Sequence, residues 1–141
     1  MNVAFFDSNI IVYAADPRPE NASKNVRARE LMQSRVMKIS TQVLMETFDV
    51  LVKRRLATRI RATEIVSNLA DNDVMSVEPD DVLRAIDTAS QYQLSHWDGL
   101  ILRAAEKARA GILYTEDLRH GQAYGSVRAC NPFIEDFLAV S

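Results

Sequence analysis

Cysteine occurs once in the 141 residues, at Cys130, and histidine only twice. One thiol cannot form an internal disulfide, and this composition leaves no cysteine-rich zinc site. A lone cysteine fits a reducing compartment, so the expected location is the cytoplasm. Glycine and proline number four each, too few for a collagen-like or linker-dominated chain. Nor does one sign of charge dominate: 17 Lys and Arg oppose 19 Asp and Glu, a formal net charge of −2. That excludes a strongly basic nucleic-acid-binding tail, and a polyanion would have to be held by local patches or a metal ion. Long hydrophobic runs are missing too. The longest, Ile10 to Ala15, falls far short of the roughly 20 residues that cross a bilayer. No Lys or Arg precedes Arg18, so neither a signal peptide nor a membrane span is expected.

What is present is globular. A hydrophobic share of 48% is too high for a disordered chain, and the length fits a single domain over 1–141. Asn2 to Phe6 is an apolar run that stops at Asp7-Ser8-Asn9, as a buried strand does when it hands over to a helix. A short helix over Ile10 to Ala15 is broken at Asp16-Pro17. A charged helix over Ala22 to Ser34 and a strand over Val36 to Ser40 follow. The pattern then predicts helices over Thr41 to Arg55 and Thr63 to Asp71, and a strand over Val74 to Val77. Pro79 opens a helix lasting to Gln93, and Ser95 opens another that Gly111 closes. Strands at Ile112 to Thr115 and Val127 to Cys130 and a helix after Pro132 complete the chain. Strands alternating with helices imply an α/β three-layer sandwich with a central parallel sheet.

In such a sheet a site forms beyond the carboxyl ends of the strands. Two strands end in acid there: the first at Asp7, the fourth at Glu116-Asp117. Alone, Asp7 reads as a helix N-cap and the Glu116-Asp117 pair as a solvated loop. The helix from Gln42 to Lys53 carries one narrow polar stripe, Gln42, Glu46, Asp49 and Lys53, with apolar residues around most of the remainder. A largely buried helix is expected, its stripe facing either a polar cleft or water. Asp98 begins the apolar stripe of its helix, and Ser95-His96-Trp97-Asp98 also fits a capping box. His96 and Trp97 are expected to pack beside that cap. Each acid alone has a structural explanation, yet four could meet at one sheet edge. Two carboxylates about 4 Å apart repel by roughly 4 kcal/mol at an effective dielectric near 20. Such a cluster persists by sharing protons or by holding a cation. All-oxygen ligands suit a hard ion, Mg²⁺ or Mn²⁺, and such an ion supports phosphodiester hydrolysis.

At these residues the sequence resembles the PIN domains, most closely the VapC-type ribonuclease toxins of prokaryotic toxin–antitoxin pairs. The resemblance spans nearly the whole chain. It is carried by Phe5-Phe6-Asp7-Ser8-Asn9-Ile10, Thr41-Gln42-Val43-Leu44-Met45-Glu46, Trp97-Asp98-Gly99-Leu100-Ile101 and Leu113-Tyr114-Thr115-Glu116-Asp117-Leu118, closing through His120-Gly121-Gln122 at Asn131-Pro132-Phe133. It implies a strand order 3-2-1-4-5 and an acidic quartet of Asp7, Glu46, Asp98 and Asp117. Asp7 and Asp98 would be the direct metal ligands, with Asn9 and Thr115 orienting the carboxylates. Glu116 is ambiguous, since it or Asp117 could lean toward the ion. The implied activity is Mg²⁺- or Mn²⁺-dependent endonucleolytic cleavage of RNA by a metal-activated water. The implied partners are a VapB-like antitoxin laid into the groove near the acids and a second copy of the chain.

Five cations, Lys53, Arg54, Arg55, Arg59 and Arg61, fall within nine residues. Lys53, Arg54 and Arg55 would contact RNA phosphates, or would be solvated while offsetting the helix dipole. His120 would reach substrate from its loop or simply lie exposed. Cys130 reads as a small buried apolar residue. Two rival readings keep the fold: a catalytically silent RNA-binding or regulatory module, and a DNA-directed nuclease. Asp7-Ser8-Asn9 lacks the second Asp of an aspartate-nucleophile phosphatase, which disfavours that chemistry.

Overall fold

Most helix starts among the described residues are set by a capping side chain or a proline. The computed structural model describes residues 2–134. Strand β1 (Val3–Phe6) leads into α1 (Ser8–Ala15), whose N-cap Asp7 accepts from the Ser8 N–H at 2.7 Å. A single 3-10 turn (Pro19–Asn21) precedes α2 (Ala22–Ser34) and β2 (Val36–Ser40). Ser40 caps α3 (Thr41–Lys53), and Thr58 caps α4 (Arg59–Leu69), which therefore begins four residues before its expected start. After β3 (Asp73–Met75), Pro79 opens α5 (Pro79–Tyr92) inside a capping box formed by Glu78 and Asp81. Ser95 caps α6 (His96–Lys107). Strand β4 (Ile112–Tyr114), a two-residue strand β5 (Ala123–Tyr124) and β6 (Val127–Cys130) follow. The helix expected after Pro132 lies outside the described residues.

The sheet order is β3-β2-β1-β4-β6-β5, parallel except where β5 runs antiparallel to β6. Among the five strands read from sequence this is the expected order 3-2-1-4-5. The addition is β5. It pairs Tyr124 with Val127 across a two-residue turn that begins at Gly125, where φ is +63°, a value glycine adopts without strain. Phe5 and Phe6 point to opposite faces and are both fully buried, so helices cover the sheet on both sides. Helix α6 lies against β2, β4 and β6 and carries α5 on its outer side, while α1 packs on α2 and α3, and α3 on α4.

Helices α1 and α2 end where expected, at Ala15 and Ser34, and the later helices stop short of their expected ends. The expected stop at Gly111 is wrong, because α6 ends at Lys107 and Arg109 takes the left-handed conformation, φ 57°. Gln93 after α5 and Arg55 after α3 do the same, with φ 57° and 55°. Glycine usually fills such positions, so the signal that marks a helix stop is missing from all three. Helix α3 is also less buried than expected. Only Val43, Thr47 and Leu51 are buried, and Met45 is 68% exposed.

Candidate active site

The register of the sheet places the acids. Phe6 of β1 pairs with Tyr114 of β4, so the residues following each strand emerge side by side. The Asp7 N–H donates to the Tyr114 carbonyl at 3.0 Å, which brings the start of α1 against Thr115, Glu116 and Asp117. Thr115 is fully buried and joins the two strand ends. Its hydroxyl donates to Asp7 Oδ2 at 2.8 Å and accepts from the Asp117 N–H at 3.1 Å. Asn9, in the first turn of α1, completes the bracket. Its Nδ2 reaches Asp117 Oδ2 at 3.0 Å, Thr115 Oγ1 at 3.3 Å and Asp7 Oδ2 at 3.4 Å, while its Oδ1 accepts from the Glu116 N–H at 3.3 Å.

Glu46 and Asp98 come from helices beyond β2 and α5. Glu46 sits one turn into α3 and is half-buried, with Oε1 enclosed and without a hydrogen-bond partner. The polar stripe on α3 divides along its length. Gln42 donates to the Trp97 carbonyl at 3.3 Å and Glu46 faces the cleft, whereas Asp49 and Lys53 pair with each other at 2.9 Å in solvent. Asp98 lies in the first turn of α6. Only half of its capping box forms: the Ser95 hydroxyl accepts from the Asp98 N–H at 3.1 Å, with no return bond from the carboxylate to the Ser95 N–H. The Ser95 side chain still acts on the carboxyl, lowering its pKa against burial. His96 and Trp97 are exposed, Trp97 by 69%, rather than packed beside the cap.

Proton affinities show that the four carboxylates share one field. Burial pushes Asp7 up to about pKa 7 against the bonds from Thr115 and Ser8, and the charges of Asp117 and Glu46 add to it. Burial also raises Glu46, with Asp117 and Asp98 adding to the effect. Asp98 is raised by burial and by Asp117. Asp117 is therefore felt by the other three. No three acidic, histidine or cysteine side chains among the described residues are already gathered closely enough to hold an ion. Glu46 and Asp117 line one cavity there, and Asp7 and Asp98 are not among its lining residues. Its chemistry nonetheless fits a hard divalent cation: the donors are all oxygen, and one enclosed oxygen of Glu46 lacks a partner.

The remaining sequence candidates separate. Glu116 is drawn away from the cluster by the Tyr13 hydroxyl at 2.9 Å and Lys24 Nζ at 3.2 Å. His120 accepts the Asn131 N–H on Nδ1 at 2.9 Å, tying the loop after β4 to the end of β6. Asn131 in turn accepts from the Phe133 N–H at 3.0 Å, and Phe133 stacks edge-on against Tyr13. Cys130 is buried, as expected, and burial pushes its thiol up to about 11. Lys53, Arg54 and Arg55 are all exposed, but only Arg54 lines a cavity of about 200 Å³ beside the acids, together with Arg18, Asn9, Glu46, Glu116 and Asp117. Tyr13, Lys24, Asp16 and Arg18 escaped the sequence reading. Asp16-Pro17-Arg18-Pro19 signals only a broken helix, and nothing local joins Tyr13 and Lys24 to a loop about a hundred residues later.

The family model described as PIN domain matches residues 4–125. Among solved structures, the fold is similar to a Mycobacterium tuberculosis VapC20 described as a sarcin-ricin loop cleaving toxin, with TM-score 0.66 and 20% identity over 81% of this chain and 89% of that one. It is similar to a toxin–antitoxin complex from Klebsiella pneumoniae, with TM-score 0.69 and 20% identity over 92% and 98%. It is also similar to VapBC2 from Rickettsia felis bound to a DNA fragment from their promoter, with TM-score 0.62 and 17% identity over 90% and 96%. At these identities the likeness is one of fold. No curated protein sequence matches the chain.

Proposed function

The chain belongs to the PIN domain family, and from that premise we propose that it is an endoribonuclease of the VapC toxin type, dependent on Mg²⁺ or Mn²⁺. One observation carries the reading. Asp7, Glu46, Asp98 and Asp117 come from four separate parts of the chain, and their charges act on one another at one end of the sheet. Mutual repulsion of that kind calls for a cation or a shared proton. When bound, a hard divalent ion supplies a water of lowered pKa and offsets charge growing on a phosphodiester.

The chain's own residues do the rest. Asp7 and Asp98 act as direct ligands, and Glu46 and Asp117 complete the quartet. Asn9 and Thr115 hold Asp7 and Asp117 in fixed rotamers through the bonds between them, so little ordering is left to binding. Without a cation Asp7 keeps its proton to about pH 7.

The partner is a VapB-like antitoxin. Solved relatives of the fold are described as VapBC and toxin–antitoxin complexes, and an acidic cleft offers a seat for a basic antitoxin side chain. Met45, Ile60, Leu83 and Trp97, between 64% and 76% exposed, supply apolar surface for that partner and for a second copy of the chain.

The deciding experiment is cleavage of a mixed panel of labelled RNAs by purified protein with Mn²⁺ or Mg²⁺, alongside Asp7→Asn and a chelator. Cleavage lost in both controls supports the ribonuclease and puts Asp7 at the metal. Cleavage that survives Asp7→Asn points to a contaminant and sinks the assignment. No cleavage and no metal binding would leave a silent RNA-binding module.

A further inference from the structure

A chain of net charge −2 that brings RNA up to four carboxylates must offset phosphate charge near the site. The cations around it differ in what holds them and in whether they line the cavity beside the acids. Lys53 is bound to Asp49 at 2.9 Å, Arg61 to Glu64 at 3.1 Å, and Lys24 to Glu116 at 3.2 Å. Arg59 lies over the Phe48 ring, 5.4 Å from its centroid. Two arginines line the cavity beside the acids, Arg54 at the end of α3 and Arg18 after α1. The Arg54 side chain makes no hydrogen bond or ion pair with the described residues, and its only bonds are through its backbone.

Arg18 is held in place by Asp16, with Glu20 Oε1 3.5 Å from its Nε on the exposed side. Its Nε lies 3.0 Å from Asp16 Oδ1, and its Nη2 lies 2.8 Å from Asp16 Oδ2. Nη1 has no partner among the described residues. Asp16 is itself nearly inaccessible, its side chain 1% exposed, and it also accepts from the Arg18 N–H and from Asn21 Nδ2 at 2.9 Å each. Chiefly through the Arg18 side chain, its pKa is held down at about 2, so the pair stays charged throughout the physiological range. A guanidinium already fixed by a buried carboxylate loses little side-chain freedom when its remaining donors meet an anion.

Resting on the ribonuclease reading, we propose that Arg18 and Arg54 form a phosphate clamp, gripping a backbone phosphate of the RNA strand within the cavity that Asn9, Glu46 and Asp117 share. The clamp positions the strand and does not read its sequence, because phosphates are common to all sequences. Arg18 thus takes on a role beyond stapling the turn after α1, and within the cation cluster at the end of α3 the contact is assigned to Arg54 alone.

The test measures binding of a labelled single-stranded RNA to full-length protein carrying Asp7→Asn, from 50 to 200 mM salt. Each phosphate contact on a single strand contributes about 0.7 to the slope of log K against log salt. Adding Arg54→Gln is expected to lower the slope by about 0.7, and adding Arg18→Gln as well by about 1.4. Arg84→Gln, on α5 outside this cavity, is expected to leave the slope unchanged. Arg54→Gln alone decides the matter if Arg18→Gln disturbs the Asp16 turn, because the Arg54 side chain holds nothing together. RNA binding with an unaltered slope in Arg54→Gln overturns the clamp and leaves the nuclease reading standing. Failure of the Asp7→Asn protein to bind RNA, with no RNA cleavage by the unmodified chain, overturns both.

Discussion

Replacing Asp7 with Asn keeps the shape of the side chain and removes its charge, and the consequence for stability should change sign with pH. The unfolded carboxyl loses its proton near 3.8, whereas in the folded chain burial and the neighbouring carboxylates hold it to about 7. Between those values the folded state binds one proton more than the unfolded state. Stability of the unmodified protein therefore falls as pH rises, by about 1.4 kcal/mol per pH unit and about 4 kcal/mol across the interval. The substituted protein escapes that loss, but it has a cost of its own. Thr115 Oγ1 already accepts from Asn9 Nδ2 and from the Asp117 N–H, so the new amide nitrogen finds no free acceptor there. Such an unpaired buried donor costs about 1–2 kcal/mol. Asp7→Asn should thus be less stable than the unmodified chain by about 1–2 kcal/mol below pH 4 and more stable by about 2 kcal/mol at pH 8. Urea unfolding in chelator at pH 4.5, 6 and 8 measures the difference directly. A gap that stays constant with pH, or a substituted protein still weaker at pH 8, would refute the reasoning. Mg²⁺ at a hundred times its dissociation constant should then add about 2.7 kcal/mol to the unmodified protein and nothing to the substituted one, which reads the metal site without any activity assay.

Gly99→Ala should part α5 from α6, because an added Cβ would sit 2.5 Å from the Ala85 carbonyl oxygen and 3.1 Å from Ala89 Cβ. A loss of about 1–3 kcal/mol in denaturant unfolding is expected, together with displacement of the neighbouring Asp98; a change under about 0.5 kcal/mol would show that the helices yield freely. Asp81 is buried between Arg103 Nε at 3.0 Å and Lys107 Nζ at 2.7 Å, and its pKa is lowered to about 2. Its stabilisation is present above about pH 4 and disappears as pH falls through 2, so Asp81→Asn should cost about 2 kcal/mol at pH 7 and progressively less below pH 4, as followed by acid titration of the melting temperature. Thr115→Val removes the hydroxyl that joins Asp7, Asn9 and Asp117. Cleavage should fall about tenfold for about 1.4 kcal/mol of lost positioning, and an unchanged rate would show that the bracket does not matter to chemistry.

The strand order 3-2-1-4-5 came from the family resemblance and not from any spacing in the chain, whereas some helix starts were legible where side chains announce themselves. Pro79 and Ser95 mark helix starts by their own chemistry, and Asp7 caps α1 at the expected junction. The ends of α1 and α2 were legible at Ala15 and Ser34, but the end of α6 was not, because Arg109 adopts left-handed backbone that sequence assigns to glycine. Strand β5 escaped because two residues beside Gly125 form too short a run to show alternation. The four acids were legible as a group but not as a geometry. Their convergence depends on the Phe6–Tyr114 register and on α6 lying against the sheet, long-range facts that no local pattern contains. The capture of Glu116 by Lys24 and Tyr13 is of the same kind, a contact across about a hundred residues of chain.

The structural and functional readings of these acids do not compete as the sequence made them appear to. Asp7 does cap α1, yet it is also the most strongly shifted member of the cluster, because its Oδ1 serves the helix while its Oδ2 meets Thr115 and Asn9. Asp98 occupies a capping-box position, but its box is only half made, whereas the box on α5 closes fully around Asp81. The contrast separates two acids that look alike in sequence. Asp81 is surrounded by cations that lower its pKa, so its charge stabilises the fold. Asp7, Glu46 and Asp98 are raised by burial first and then by the charge of Asp117, so their charges act against the fold. A buried carboxylate with its own lysine and arginine is accounted for by stability alone. A group of carboxylates raised by burial and by a shared neighbour has no such account, and that difference is what supports the proposal of a cation at the end of the sheet near Asp7 and Asp117.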